Sequence, residues 1–177
     1  ERIRARAMAM HSSSELLEVA NVLREQMGML NQPDLETSAV LIFHDNHESW
    51  DSWYAFRPTK DTTGKIRTGT ATFYKDSCAF TREIAEHFIS PENAYTLETS
   101  GEKREEWIKV LMKAAPEIAE NAVNDEIENF DTTYFHFSDF KGGSLLTVSY
   151  LPPSDEIKSL QQRAANVFDL AYRRFLD

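Results

Sequence analysis

TTYFHFSDFKGGSLLTVSYL, residues 132–151, decides the fold. Two runs of alternating aromatic, aliphatic and polar residues flank Lys141-Gly142-Gly143. A Gly-Gly pair between such runs predicts a β-hairpin, because tight hairpin turns need positive φ angles that glycine adopts without steric cost. The two strands are placed at Thr132–Phe137 and Ser144–Leu151. Downstream, Pro152-Pro153 stops the second strand and Ser154 caps a final helix. Its apolar positions Ile157, Leu160, Ala164, Val167 and Ala171 advance by three and four residues in turn, a heptad seam that Phe168, Tyr172 and Phe175 widen.

Upstream of the hairpin the periods alternate between helix and strand. Leu16, Val19, Ala20, Leu23, Met27 and Leu30 form one stripe of a 3.6-residue period, with Ser12 and Glu15 as a capping box. From Ala39 to Phe43 the chain reads as a strand covered on both faces. Asp51–Arg57 alternates, with Ser52, Tyr54 and Phe56 on one side and Trp53 and Ala55 on the other. The polar residues His44–Ser49 join these two strands as a hairpin. Lys65–Tyr74 is a third strand, in which Gly69 marks an expected bulge. Phe80, Ile84, Phe88 and Ile89 predict a short helix closed by Ser90-Pro91, and Tyr95–Glu98 a brief strand. A second helix runs from Glu102 to about Ala115 through Trp107, Val110, Leu111 and Ala114. Pro116 ends or kinks it, since proline lacks the backbone donor. Ile118, Ala122, Val123 and Ile127 then resume the stripe. Helices and strands in this order describe an α+β domain, an antiparallel sheet with helices on its faces and long helices at both termini.

Bulk properties narrow the function classes. A length of 177 residues suits one domain, and 41% apolar with 27% charged residues is globular composition. A net charge of −10 argues against a nucleic-acid binder, which needs a basic surface. The single cysteine, Cys78, excludes an internal disulfide framework and fits a reducing, cytoplasmic setting. The longest apolar run, Ala39–Phe43, is far short of the roughly 20 residues needed to cross a bilayer. The chain starts at Glu1 without an initiator methionine and stops at Asp177 within a continuing helix, so a piece of a longer polypeptide is expected.

Three strings give a family resemblance: RIRARAMAMH at 2–11, FDLAYRRFLD at 168–177, and the closing hairpin Phe137–Pro153 with Gly142-Gly143 before the last strand. Together they resemble a GAF domain of a bacterial, multi-domain sensor histidine kinase. The resemblance spans the whole chain as one sensory domain, with residues 1–11 as the entering linker helix and 154–177 as the leaving one. It implies a central six-stranded antiparallel sheet, helices on both faces and a small-molecule pocket on one of them. It also implies that ATP-dependent kinase activity belongs to a longer two-component signalling protein, since no phosphoacceptor His-Glu segment and no glycine-rich ATP lid occur here. The family's ligand signatures are not matched. There is no Asn-Lys…Phe…Asp-Glu combination for cyclic nucleotides, Cys78 is followed by Ala79 where bilin attachment commonly has Cys-His, and one cysteine is too few for the methionine-sulfoxide reductases. No cofactor signature is found.

Candidate sites compete with plainer readings. His44-Asp45-Asn46-His47-Glu48 is the one dense group of metal-capable side chains. Placed on a strand end and turn, however, His44 and His47 point to opposite faces, and a solvated turn is the alternative. Cys78 precedes a predicted helix start with Lys75 nearby, a setting that can lower a thiol pKa, although a lone cysteine commonly just packs. Aromatics make up 11% of the chain, and Trp53, Tyr74 and His136 form a plausible pocket lining. Arg2, Arg4, Arg6, Arg173 and Arg174 would flank the terminal-helix seam, as charges do at helical interfaces.

These features predict a non-catalytic sensory or signal-relay module. It would bind a small ligand, or merely a partner protomer through Ile157, Leu160, Ala164, Val167 and Ala171, and couple that to its terminal helices. The alternatives are a small enzyme or a metal or redox sensor using Cys78 or His44 and His47, and a ligand-free dimerisation spacer.

Overall fold

The computed structural model describes residues 21–22, 35–58, 65–127 and 131–176. Six strands form a single antiparallel sheet: β1 (Leu35–Phe43), β2 (Ser49–Phe56), β3 (Arg67–Tyr74), β4 (Ala94–Thr99), β5 (Thr133–Phe140) and β6 (Gly143–Ser149), in the order β3-β2-β1-β6-β5-β4. Among the described residues, four helices of ten residues or more accompany them: α1 (Ala79–Phe88), α2 (Gly101–Ala114), α3 (Pro116–Ile127) and α4 (Asp155–Leu176). The α+β class, the antiparallel sheet and the six strands agree with expectation. The N-terminal stripe and capping box lie outside the described residues, apart from a helical Asn21-Val22.

The deciding hairpin forms with a two-residue turn. Phe140 pairs with Gly143, leaving Lys141-Gly142 as the loop, with Gly142 at φ +86°. Both strands differ from the predicted bounds, β5 running on to Phe140 and β6 ending at Ser149. The His44–Ser49 hairpin also forms. His47 takes a left-handed φ of +57° and donates its N–H to the His44 carbonyl at 2.8 Å.

Gly69 is not a bulge: β2 and β3 pair without a shift, with Tyr54 opposite Gly69. Its lack of a side chain serves packing instead, since a Cβ there would lie 2.5 Å from the Tyr54 hydroxyl. The ladder irregularity falls between Leu35 and Thr37, where β1 meets β6. Pro116 ends one helix and opens the next. Ala115 breaks the run and Pro116 occupies the first position of α3, where a missing N–H costs nothing.

Alternation along the strands builds two cores. Ala39, Leu41, Trp50, Tyr54, Phe73, Phe135, Phe137 and Val148 face α1, α2 and α3. Val40, Ala55, Phe140 and Leu145 face α4. Helices thus cover both faces of the sheet.

α4 uses its apolar side on its own sheet. Ile157 and Ala164 of the predicted dimer seam are buried there with Ala165, Phe168 and Tyr172, and Leu160 packs at the margin. Val167 is half-buried, and the side chain of Ala171 lies outside those described. Gln161, fully buried in this interface, accepts from the Thr147 hydroxyl at 2.7 Å. Its amide donates to the carbonyls of His136 at 2.8 Å and Leu145 at 3.1 Å. Asp169 accepts the Lys141 N–H at 2.7 Å and the Arg173 guanidinium at 2.8 Å, tying the helix to the β5–β6 turn.

Candidate functional site: a cavity under three helices

Thr99 closes β4, and Ser100 turns the chain into α2. One turn along that helix, Arg104 points inward and stays only 4% exposed. It heads a stripe that continues through Trp107, Ile108 and Leu111, the spacing of one helix face. Across the sheet, Thr99 pairs with Thr133, and both hydroxyl side chains are buried on the same face. α3 packs back on α2, and its Ala122 carbonyl accepts a hydrogen bond from Arg104 Nη2 at 3.3 Å.

Between these helices and the sheet lies a cavity of about 70 Å³. Trp50, Phe73, Trp107 and Phe135 supply aromatic wall, and Ala39, Leu41, Ile108, Leu111 and Val148 the aliphatic wall. The polar lining is sparse: Thr37, Ser52, Thr99, Thr133 and Arg104. Arg104 is the one charged residue among the described residues that line it. The Thr99 hydroxyl oxygen is buried and makes no hydrogen bond. An apolar chamber with a few convergent polar groups is the usual constitution of a small-molecule site.

Tyr54 stands in the same wall. Burial raises its pKa above the ordinary phenol value and the Glu117 carboxylate adds to this, so it is a neutral hydroxyl at physiological pH.

The sequence-predicted lining set is not brought together. Trp53 projects from β2 to the α4 face and packs against that core. His136 lies on β5, with β1 and β6 between the two strands. Its Nδ1 is 2.9 Å from the Thr96 hydroxyl, and burial, helped by the Lys158 charge, lowers its pKa to about 4. Tyr74 is 60% exposed at the end of the edge strand. None of the three lines the cavity.

The His44 and His47 side chains are engaged separately. His44 contacts Ser49 through Nδ1 and Asp51 through Nε2, the latter at 3.1 Å, while His47 meets the Phe88 ring edge-on. Among the described residues no group of three His, Cys, Asp or Glu side chains is arranged to hold a metal. Cys78 is buried at the N-cap of α1. Its N–H donates to the Thr81 hydroxyl at 2.9 Å and its sulfur accepts from that hydroxyl at 3.6 Å, so the side chain serves helix capping and core packing.

Arg104 and Thr99 were missed in the sequence reading. The available signal was a cation at the head of the stripe Arg104, Trp107, Ile108 and Leu111, an expensive residue to place on an inward face.

Compared with protein-family models, with curated proteins and with solved structures, the chain matches none. No helix among the described residues is long and apolar enough to cross a membrane.

Proposed function

We propose that this chain is a non-catalytic, GAF-like sensory module that binds a small, mostly apolar molecule between its sheet and α1–α3. The observation that carries this reading is the cavity itself, since well-packed interiors leave few voids larger than a water. At a share of about 30 Å³ per water, 70 Å³ has room for about two. A wall this apolar gives water few partners, which favours an organic occupant.

The output would be α4. The sheet separates the cavity from that helix by one layer, so a shift of β1 or β5 on ligand binding is felt directly by Val40, Phe140 and the residues packed on them. No chemistry is needed, only a ligand affinity that differs between two arrangements by about 1–3 kcal/mol. A contact between protomers through α4 would use its outer side, where Leu170 is 62% exposed, because Ile157 and Ala164 are committed to the sheet.

The test is a thermal-shift screen against small metabolites, followed by hydrogen exchange on any hit. Stabilisation with altered exchange along α4 is expected. A screen in which no compound raises the melting temperature would reduce the module to a spacer.

A further inference from the structure

We propose that the free edge of β3, with the groove beside it, takes an acidic, extended peptide segment of a partner protein, which adds to the sheet as a further strand. The groove lies between β3, α1 and α2 and has a volume of about 740 Å³. Thr72, Phe73 and Tyr74 all line it. Side chains of consecutive strand residues point to opposite faces, so three in a row reach one groove through the strand's edge. β3 is eight residues long and ends the sheet, and among the described residues it pairs with β2 alone. In an antiparallel ladder, alternate residues of such a strand turn their N–H and C=O groups away from the neighbour, a template for another strand. Natural edges are commonly guarded by proline or charged side chains, and residues 68–74 contain neither. The opposite edge, β4, is shorter at six residues and carries Glu98.

Charge selects the occupant. Arg82 of α1 and Lys109 and Lys113 of α2 line the groove, all three exposed, with Glu106 as the one carboxylate in the same lining. None of these cations belongs to an ion pair among the described residues. On a chain of net charge −10, this local excess is opposite in sign to the whole. The cations are spread over two helices, which suits several carboxylates spaced along a chain better than one compact anion. Strand addition supplies affinity through the main chain, and the side chains that alternate onto the helix face supply the selection. Tyr74, 60% exposed, adds an aromatic contact surface.

The unaltered protein is titrated at low ionic strength with a dye-labelled, end-capped peptide of alternating glutamate and valine, read by fluorescence anisotropy. Two companions are titrated alongside: the same peptide with glutamine for glutamate, and the glutamate peptide N-methylated at every backbone amide, which keeps the charges and removes the donors. The glutamate peptide is expected to bind at least tenfold more tightly than either. Lys109→Glu with Lys113→Glu, both at exposed positions, should weaken it at least tenfold and leave the glutamine peptide unchanged. A glutamine peptide that binds as tightly overturns the acidic assignment. An N-methylated peptide that binds as tightly overturns strand addition. A labelled oligothymidylate that outcompetes the glutamate peptide would make the groove a polyphosphate site and overturn the peptide assignment, as would no binding of the glutamate peptide at all. The peptide comparisons need no variant, so a folding failure of the double substitution does not blunt the test.

Discussion

Gly143 tolerates no side chain, because a Cβ there would collide with the Leu41 carbonyl of the neighbouring strand. At Gly69 the obstacle is instead the far end of the Tyr54 ring, which can tilt. Gly143→Ala should therefore destabilise more than Gly69→Ala, for which overpacking predicts about 1–3 kcal/mol. Urea denaturation of both variants checks the order, and equal losses would contradict it. Two residues of β5 give stability opposing pH slopes. Burial holds His136 down to about 4, from 6.5, so the unfolded chain takes up the proton first, and stability rises with pH between about 4 and 6.5. Burial pushes Asp139 up to about 7, from 3.8, against the Ser144 hydrogen bond, so the folded state holds the proton longer and stability falls with pH across about 4 to 7. The slopes nearly cancel up to pH 6.5. Asp139→Asn should unmask a rise of about 1.4 kcal/mol per pH unit there, and His136→Gln a fall of similar size. Urea midpoints at pH 4.5 and 6.5 decide, and parallel profiles in the two variants would refute the assignment.

At the scale of elements, α4 illustrates how one period supports two meanings. Ile157, Leu160, Ala164 and Val167 step like a coiled-coil seam, but the same stripe, widened by Phe168 and Tyr172, packs equally well on a sheet. Periodicity reports that a face is apolar and says nothing about what covers it. What seats this helix is Gln161, whose side chain meets Thr147 and two sheet carbonyls in a dry interface. Gln161→Leu leaves the Thr147 hydroxyl without this partner and should cost about 2–4 kcal/mol, since each lost buried partner costs about 1–3. A loss below about 0.5 kcal/mol in chemical denaturation would mean that apolar contacts alone seat the helix.

For the whole molecule, the cavity and the α4 face are two sides of one sheet, and a substitution that fills the first tests the functional reading. Ala39, on β1 at the cavity wall, is 2% exposed. Ala39→Leu should raise stability by about 1 kcal/mol, as cavity filling commonly does, and abolish the ligand response. Retained ligand binding in a stable variant would place the site elsewhere.

The sequence by itself determined the elements. The Gly142 turn, Pro116, the alternation of β2 and the stripe of α4 are local signals, because backbone φ and side-chain period act over a few residues. It also carried the sheet's two-sidedness, since Tyr54 and Trp53 must point opposite ways. Only the tertiary structure decided which rings meet. Trp53, Tyr74 and His136 are kept apart by strand order, whereas Trp50, Phe135 and the α2 pair Arg104 and Trp107, from three separate elements, converge on one chamber. A cavity is the space that packing leaves unfilled. It depends on how α1, α2 and α3 settle on the sheet together, and no single stretch of chain encodes that.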